Sequence, residues 1–487
     1  RPADSLQLMD FLPVILWSDV LIWRLVVGGL GSGWLSASNP LLRAAWRRVG
    51  RSRAGMASAT ILLAFVCVGL LDSIHYRPRL EAAAVPGVAP DGQPPVAYAV
   101  EVLSVLDGLL SSLRTRTEKT YSEPLATRAY AKESIETRTA DGELRQVREY
   151  PRLKHAGTHL GADEARRDAD VGMRLLCALG LALLVWWALA AATAAALARA
   201  EACSHLAAWR RIWRNESDFA CNAVLAALGL LLLFALPLLI LAADYHVLGT
   251  DKVGQDVLYQ VLKSVRTALV IGLVTTLVML PLSIFLGVLA GYFRGWVDDL
   301  IQYLYTTLSS IPGVLLIAAA VLMMQVLIDT HPEWFATAAE RADMRLLALC
   351  CILGVTSWTG LCRLLRGETL KLRELEYIQA FGVSGLRIIA RHILPNLMHI
   401  VIIALVMDFS SLVLAEAVLS YVGIGVDPTM ISFGTMINNA RMELAREPMV
   451  WWSLAAAFVF MFILVLAANL LADAVRDAFD PRLVGSA

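Results

Sequence analysis

Runs of about 20 apolar residues recur along this chain, the length that crosses roughly 30 Å of bilayer hydrocarbon at about 1.5 Å per helical residue. They fall at 54–73, 172–198, 219–243, 264–293, 303–328, 345–365, 397–420 and 449–472. A further stretch, 11–34, is apolar but carries Asp19 and Arg24, and reads either as a span or as an interfacial helix. Composition agrees: 58% of the 487 residues are apolar and 17% charged, where ordinary globular chains run at about 45–50% and about 25%. Disordered, collagen-like and disulfide-rich secreted chains are excluded. The expected fold class is an all-α integral membrane protein.

Basic residues orient the spans, because cytoplasmic connections carry an excess of Lys and Arg. Residues 43–53 hold Arg43, Arg47, Arg48, Arg51 and Arg53 without an acid, so the N-terminal segment 1–53 ends on the cytoplasmic side. Alternation then places inside the linker 199–218, with Arg199, Arg210, Arg211 and Arg214, and the short turn at Arg294. The loop 366–396, with Arg366, Lys371, Arg373, Arg387 and Arg391, falls on the same side. The connections 244–263 and 329–344 fall outside.

The segment 74–171 also falls outside and, at about 100 residues, is long enough for a small inserted domain. Pro78, Pro86, Pro90, Pro94 and Pro95 mark an extended linker at its start. Val100, Leu103, Leu106, Leu109, Leu110 and Leu113 recur at helical spacing and predict an amphipathic helix. Residues 133–150 predict two short strands about Asp141-Gly142. His155 and His159 stand four apart but lack the further ligands a metal site needs. The domain reads as accessory.

Several functions find no support. The 42 basic and 42 acidic residues cancel, which gives a nucleic-acid partner no electrostatic basis. The seven cysteines lie in or beside apolar runs without a CxxC pair, so neither a disulfide framework nor a zinc site is indicated. No phosphate-binding GxxxxGK[ST] and no G-x-S-x-G or HExxH occurs, which argues against ATP hydrolysis or enzymatic chemistry in this chain.

The most informative segment is the basic loop ELEYIQAFGVSGLRIIARHILPN, Glu374 to Asn396. Leu375, Ile378 and Phe381 give it an apolar helical face, Gly382 permits close backbone approach, and Pro395 stops the loop before the next span. Standing alone, it reads equally as a solvated connection or a docking element. Intramembrane charge is the second pointer. Asp408 and Glu416 lie inside 397–420, where a carboxylate costs about 2.5–3.5 kcal/mol and needs a cavity, a partner or a base. Asp408, with Ser411 beside it, reads as a wall of a translocation path or as interhelical contact, and Glu416 more readily as packing.

Over residues 210–483 the sequence resembles the permease subunits of ABC importers, specifically the C-type subunit of oligopeptide and dipeptide uptake systems. The stretches that carry the resemblance are HVLGTDKVGQDV (246–257, with Gln255 where arginine is usual), GYFRGWVD (291–298), SIPGVLL (310–316), LAEAVLSYVGIG (414–425) and ADAVRDAFDPRL (472–483). The loop resembles the family's EAA loop, which couples the permease to an ATPase. Counting back from Gly382 puts Glu376 at the glutamate position; anchoring on Glu376-Tyr377-Ile378 instead puts Gln379 and Ala380 at the alanine pair.

The resemblance implies a type I importer core of six spans over 219–483. Two or three extra N-terminal spans and the inserted domain 74–171 are additions it does not cover. It implies that Glu376, Gln379, Ala380, Gly382, Leu394 and Pro395 couple to the ATPase; the candidate path residues Asp408, Ser411 and Glu416 rest on intramembrane charge instead. Implied partners are a sister permease, two ATP-binding subunits that hold the ATP and magnesium, an extracytoplasmic binding protein and the lipid bilayer, in a bacterial inner membrane. The cargo implied is a di- or oligopeptide; a same-family importer of nickel and a proton-coupled carrier are the alternatives. His159 to Asp170, HLGADEARRDAD, echoes His246 to Asp256.

Overall fold

The computed structural model describes residues 11–38, 40–79, 98–138, 144–161, 163–214, 219–335, 337–375 and 385–479. The chain opens with strand β1 (Phe11–Val14), helix α1 (Trp17–Ser38), amphipathic α2 (Pro40–Arg51) and span α3 (Arg53–Asp72). Strand β2 (His75–Pro78) pairs antiparallel with β1 and with β3 (Leu103–Ser104). Helices α4 (Val105–Leu109) and α5 (Ser111–Thr115) and the hairpin β4 (Glu133–Arg138)–β5 (Leu144–Glu149) complete the inserted domain. Next come α6 (Arg167–Ala200), α7 (His205–Arg214), α8 (Cys221–Ala242) and the 37-residue α9 (Val257–Phe293). Helices α10 (Trp296–Ser310), α11 (Gly313–Thr330), α12 (Ala338–Ser357), α13 (Thr359–Arg373), α14 (Gly385–Ile388), α15 (Leu394–Val422), α16 (Phe433–Glu443) and α17 (Trp452–Phe479) follow.

Among the described residues seven helices are long and apolar enough to cross a membrane, and α12 with α13, bent by 41°, makes an eighth. The protein is an all-α multi-pass membrane protein. Its two ends differ. At the arginine-rich end Arg48 donates to Ala478 O at 3.1 Å and Ala220 N to Gly50 O at 2.8 Å, so α2, α8 and α17 meet there. At the cap end the inserted domain covers the start of α9.

Helix α1 resolves the first stretch. β1 ties its start to β2 at the cap end, and α2 packs on the far end of α17, so its 22 residues run from one end to the other. It is not one of the seven apolar spans. Helix α3 packs on α17 and α9, whereas α8 packs chiefly on α6 and α3.

Several sequence expectations are corrected. The run 303–328 is not one helix: Pro312 lacks an amide hydrogen and forces Ile311 to ψ 133°, so the chain breaks between α10 and α11. The run 345–365 bends at Trp358, whose carbonyl accepts a hydrogen bond from Ser283 Oγ at 3.1 Å. Helix α9 starts at Val257, about two turns before 264, because Asp256 caps it by accepting from Leu258 N. Pro395 does not stop the loop. A π-turn over Ile389–Ile393 carries α14 into α15, with Pro395 in the first turn, where its missing donor costs little.

The helix expected from Val100 to Leu113 is split. Leu103 pairs with Tyr76 in the sheet, Ser104 and Asp107 form a capping box, and α4 ends at Leu110. Leu106 and Leu113 are buried, while Val100 and Leu109 are exposed. The two predicted strands are present; their turn and the proline-rich linker lie outside the described residues.

Candidate functional site

The flanks of the basic loop are built on glycine. A Cβ at Gly287 would stand 2.8 Å from Cys362 O, and one at Gly291 2.8 Å from Arg366 O, so this GxxxG pair sets α9 directly against α13. Arg366 then reaches Asp298 of α10 through two bonds, 2.5 and 2.7 Å, and the Arg363 guanidinium lies over Tyr305. Arg294 pairs with Glu374 at the exposed mouth of the loop. On its return the chain passes so close that a Cβ at Gly385 would meet the Tyr292 ring at 2.9 Å. Ile388, Ile393 and Leu397 are buried against Ile301, Trp358 and Leu365, which grips the base of the loop. Leu394 is half-buried and Pro395 exposed; Glu376, Gln379, Ala380 and Gly382 lie outside the described residues.

Helix α15 separates the three candidate residues Asp408, Ser411 and Glu416. Asp408, Ser411, Ala415, Val418 and Val422 share one helical face that is half-buried or exposed. The Asp408 carboxylate has no hydrogen-bond or ion-pair partner among the described residues. Glu416 points the other way and is 1% exposed. It accepts from Ser420 Oγ at 2.6 Å and from Ser432 Oγ, the N-cap of α16, at 2.9 Å. The structure therefore places Glu416 at the joint between α15 and α16 and not on the candidate path, because two hydroxyls there satisfy its carboxylate.

The stretch 246–257 is a third centre. His246 Nδ1 lies 2.7 Å from Asp256 and its Nε2 3.4 Å from Glu118 of the inserted domain. Glu118 also accepts from Lys154 N at 2.7 Å and His155 N at 2.8 Å. Burial alone would lower the His246 pKa, but its bonds to Asp256 and Glu118 outweigh that and push it up to about 9. Burial would raise Glu118, yet the histidine and the two amides hold it at about 2. Gly254, at φ +74°, lies under Glu118: a Cβ there would be 1.9 Å from the Glu118 carbonyl oxygen. Thr250 Oγ1 accepts from Ser122 N at 2.7 Å, and Trp452 Nε1 donates to Thr250 O at 2.9 Å. The motif thus joins the inserted domain to α9 and α17.

Sequence reasoning missed Glu118 and a second set of buried charges on α9. Arg266 bonds Asp19 of α1 and Ser18 Oγ at 2.7 and 2.8 Å, and Ser18 in turn bonds Asp343 of α12. Lys263 bonds Asp72 of α3 at 2.7 Å and Asp107 of α4 at 3.0 Å. The available signal was Arg266 inside an apolar run, opposite an Asp19 that also sat inside one.

Residues 283–485 match the family described as Binding-protein-dependent transport system inner membrane component. The oligopeptide transport system permease protein OppC of Mycobacterium tuberculosis is 33% identical over 291 residues, 56% of this chain and 92% of the relative. The glutathione transport system permease protein GsiD of Pectobacterium atrosepticum is 31% identical over 301 residues, 56% and 91% of the two chains. The dipeptide transport system permease protein DppC of Bacillus subtilis is 28% identical over 241 residues, 49% and 69%. With a glycine-gripped basic loop at one end and an open, carboxylate-bearing helix between the two, this chain belongs to the binding-protein-dependent inner membrane components, the permease subunits of ABC importers.

Proposed function

We propose that the chain translocates di- or oligopeptides across the cytoplasmic membrane of a bacterium, with ATP and magnesium held by two partner ATPases. The relatives' names, oligopeptide, dipeptide and glutathione permeases, support peptide cargo. The arginine-rich end is then cytoplasmic, and an ATPase docks on the loop 374–395, engaging Glu376, Gln379, Ala380, Gly382, Leu394 and Pro395. A binding protein delivers cargo at the cap end, and a sister permease closes the open face of α15. The permease core is the set of spans from 219 to 483, with α3 packed into it.

The observation that carries this reading is Asp408: a half-buried carboxylate in mid-span, on a face that is otherwise largely exposed, with no hydrogen-bond or ion-pair partner among the described residues. Such a group is costly in hydrocarbon and fits a polar path at an interface between subunits. Nucleotide binding can shift the path between its two openings only by favouring one of them, and the gripped loop is the lever that transmits this preference. Proteoliposomes holding the complete complex test it. Peptide uptake should require internal or external ATP on the side of the loop and persist without a proton gradient, and Asp408→Asn should lower uptake while the complex still assembles. Uptake driven by a proton gradient alone would overturn the reading, and an assembly defect alone would return Asp408 to packing.

A further inference from the structure

A cleft of about 550 Å³ opens at the cap end beside α1, walled by β1, β2 and the first turns of the helix. Val14, Ile15, Val20, Trp23, Val27 and Ile74 make its surface apolar. Of its two charged residues on α1, Asp19 is already engaged, 2.7 Å from both His75 and Arg266. Arg24 is exposed and has no hydrogen-bond or ion-pair partner among the described residues. The cleft therefore presents one uncompensated cation.

Depth identifies the anion. Arg24 lies five residues along α1 from Asp19, about 8 Å below the cap-end sheet at about 1.5 Å per residue. Trp17 and Trp23 flank this level, exposed by 68% and 39%, where aromatic rings mark the headgroup region. Val20, Arg24 and Val27 follow one another on a single helical face, with Val20 on the cap side, so an anion held by Arg24 has the apolar wall at Val27 directly beneath it. A free phosphate would satisfy the guanidinium and leave that wall bare. An uncharged amphiphile would cover the wall and leave the guanidinium unpaired in an apolar setting, which is costly.

We infer that this cleft seats one phospholipid of the cap-end leaflet, its phosphate on Arg24 and an acyl chain running inward along Val27. The site is independent of the loop and of Asp408, so it stands or falls apart from the transport reading. The assembled complex, delipidated in mild detergent and supplied with phosphatidylglycerol, tests it by native mass spectrometry. Wild type should retain a phospholipid on this chain that Arg24→Gln and Val27→Asn both lose, Arg24→Lys should keep part of it, and millimolar inorganic phosphate should not displace it. Arg24→Gln should melt like wild type without added lipid, because Arg24 bonds nothing among the described residues. Equal retention by wild type and Arg24→Gln, displacement by phosphate alone, or a photo-crosslink from position 23 to the sister subunit instead of to lipid would each overturn the assignment.

Discussion

The two ends of the molecule are held together by different physics. At the cap end, charges pair across distant segments, most of them buried nearly out of reach of water: Arg266 with Asp19, the part-buried Lys263 with Asp72 and Asp107, and His246 with Glu118 and Asp256. At the arginine-rich end the helices approach through Gly287 and Gly291, one part-buried pair, Arg366 with Asp298, joins α13 to α10, and the pair at the loop mouth, Arg294 with Glu374, is about half exposed. A buried pair has one low-energy geometry, since any displacement strands a desolvated charge. Glycine-lined contacts hold by close packing, and an exposed pair contributes little. The difference leads us to propose that the cap end is a fixed frame and the other end the part that moves, as the lever of the proposed function requires.

The sharpest way to break this contrast is Asp19→Ala. It should cost about 3–5 kcal/mol in thermal unfolding of the purified protein, because Arg266 loses its counter-ion while still buried. Asp19→Ala with Arg266→Met should recover much of that loss. A single-variant effect no larger than that of an exposed pair would erase the distinction between the ends.

Gly254→Ala comes next. The new methyl meets the Glu118 carbonyl, and the positive φ alone costs about 1–2 kcal/mol. Limited proteolysis should then cut within 98–161, while helices at the arginine-rich end stay protected. Gly291→Leu is the counterpart at the other end. Overpacking there should cost about 1–3 kcal/mol and abolish uptake, with the inserted domain still resistant to protease.

The cap should also respond to pH, and the two partners bound its range. The pKa of His246 is raised when folded, so its contribution is complete below about 6.5 and fades as pH climbs through about 9. The pKa of Glu118 is lowered, so its contribution is complete above about 4.5 and fades as pH falls through about 2. Protection of 98–161 should therefore be greatest near pH 5–6 and weaken toward pH 9, and His246→Gln should flatten the alkaline limb. The smallest effect belongs to Arg294→Ala, expected to change stability by less than about 1 kcal/mol.

How much of this was legible follows from range. The spans were legible because each is written in about 20 consecutive residues. The break at Pro312 was written too, in SIPG, but hydropathy runs straight across it and only backbone sterics reveals it. The pairing of Asp19 with Arg266 was not: both charges stood out in apolar runs, yet no local rule joins positions so far apart in sequence. Glu118 gave no sign at all, since one glutamate in a polar domain looks like any other. The echo of 246–256 in 159–170 has a structural counterpart, with His159 2.9 Å from Asp170 as His246 is 2.7 Å from Asp256, each pair beside the start of a long helix. At the loop the motif gave only a resemblance to a coupling segment, and the described flanks show how its base is gripped.

The most direct test is a photo-reactive amino acid at position 387, on the returning arm of the loop, in the assembled transporter. The cross-linked product should contain an ATP-binding subunit, and its yield should change when ATP is trapped on that subunit. A product containing only lipid, or an extracytoplasmic protein in place of an ATPase, would contradict the assignment of this end as the place where nucleotide energy enters.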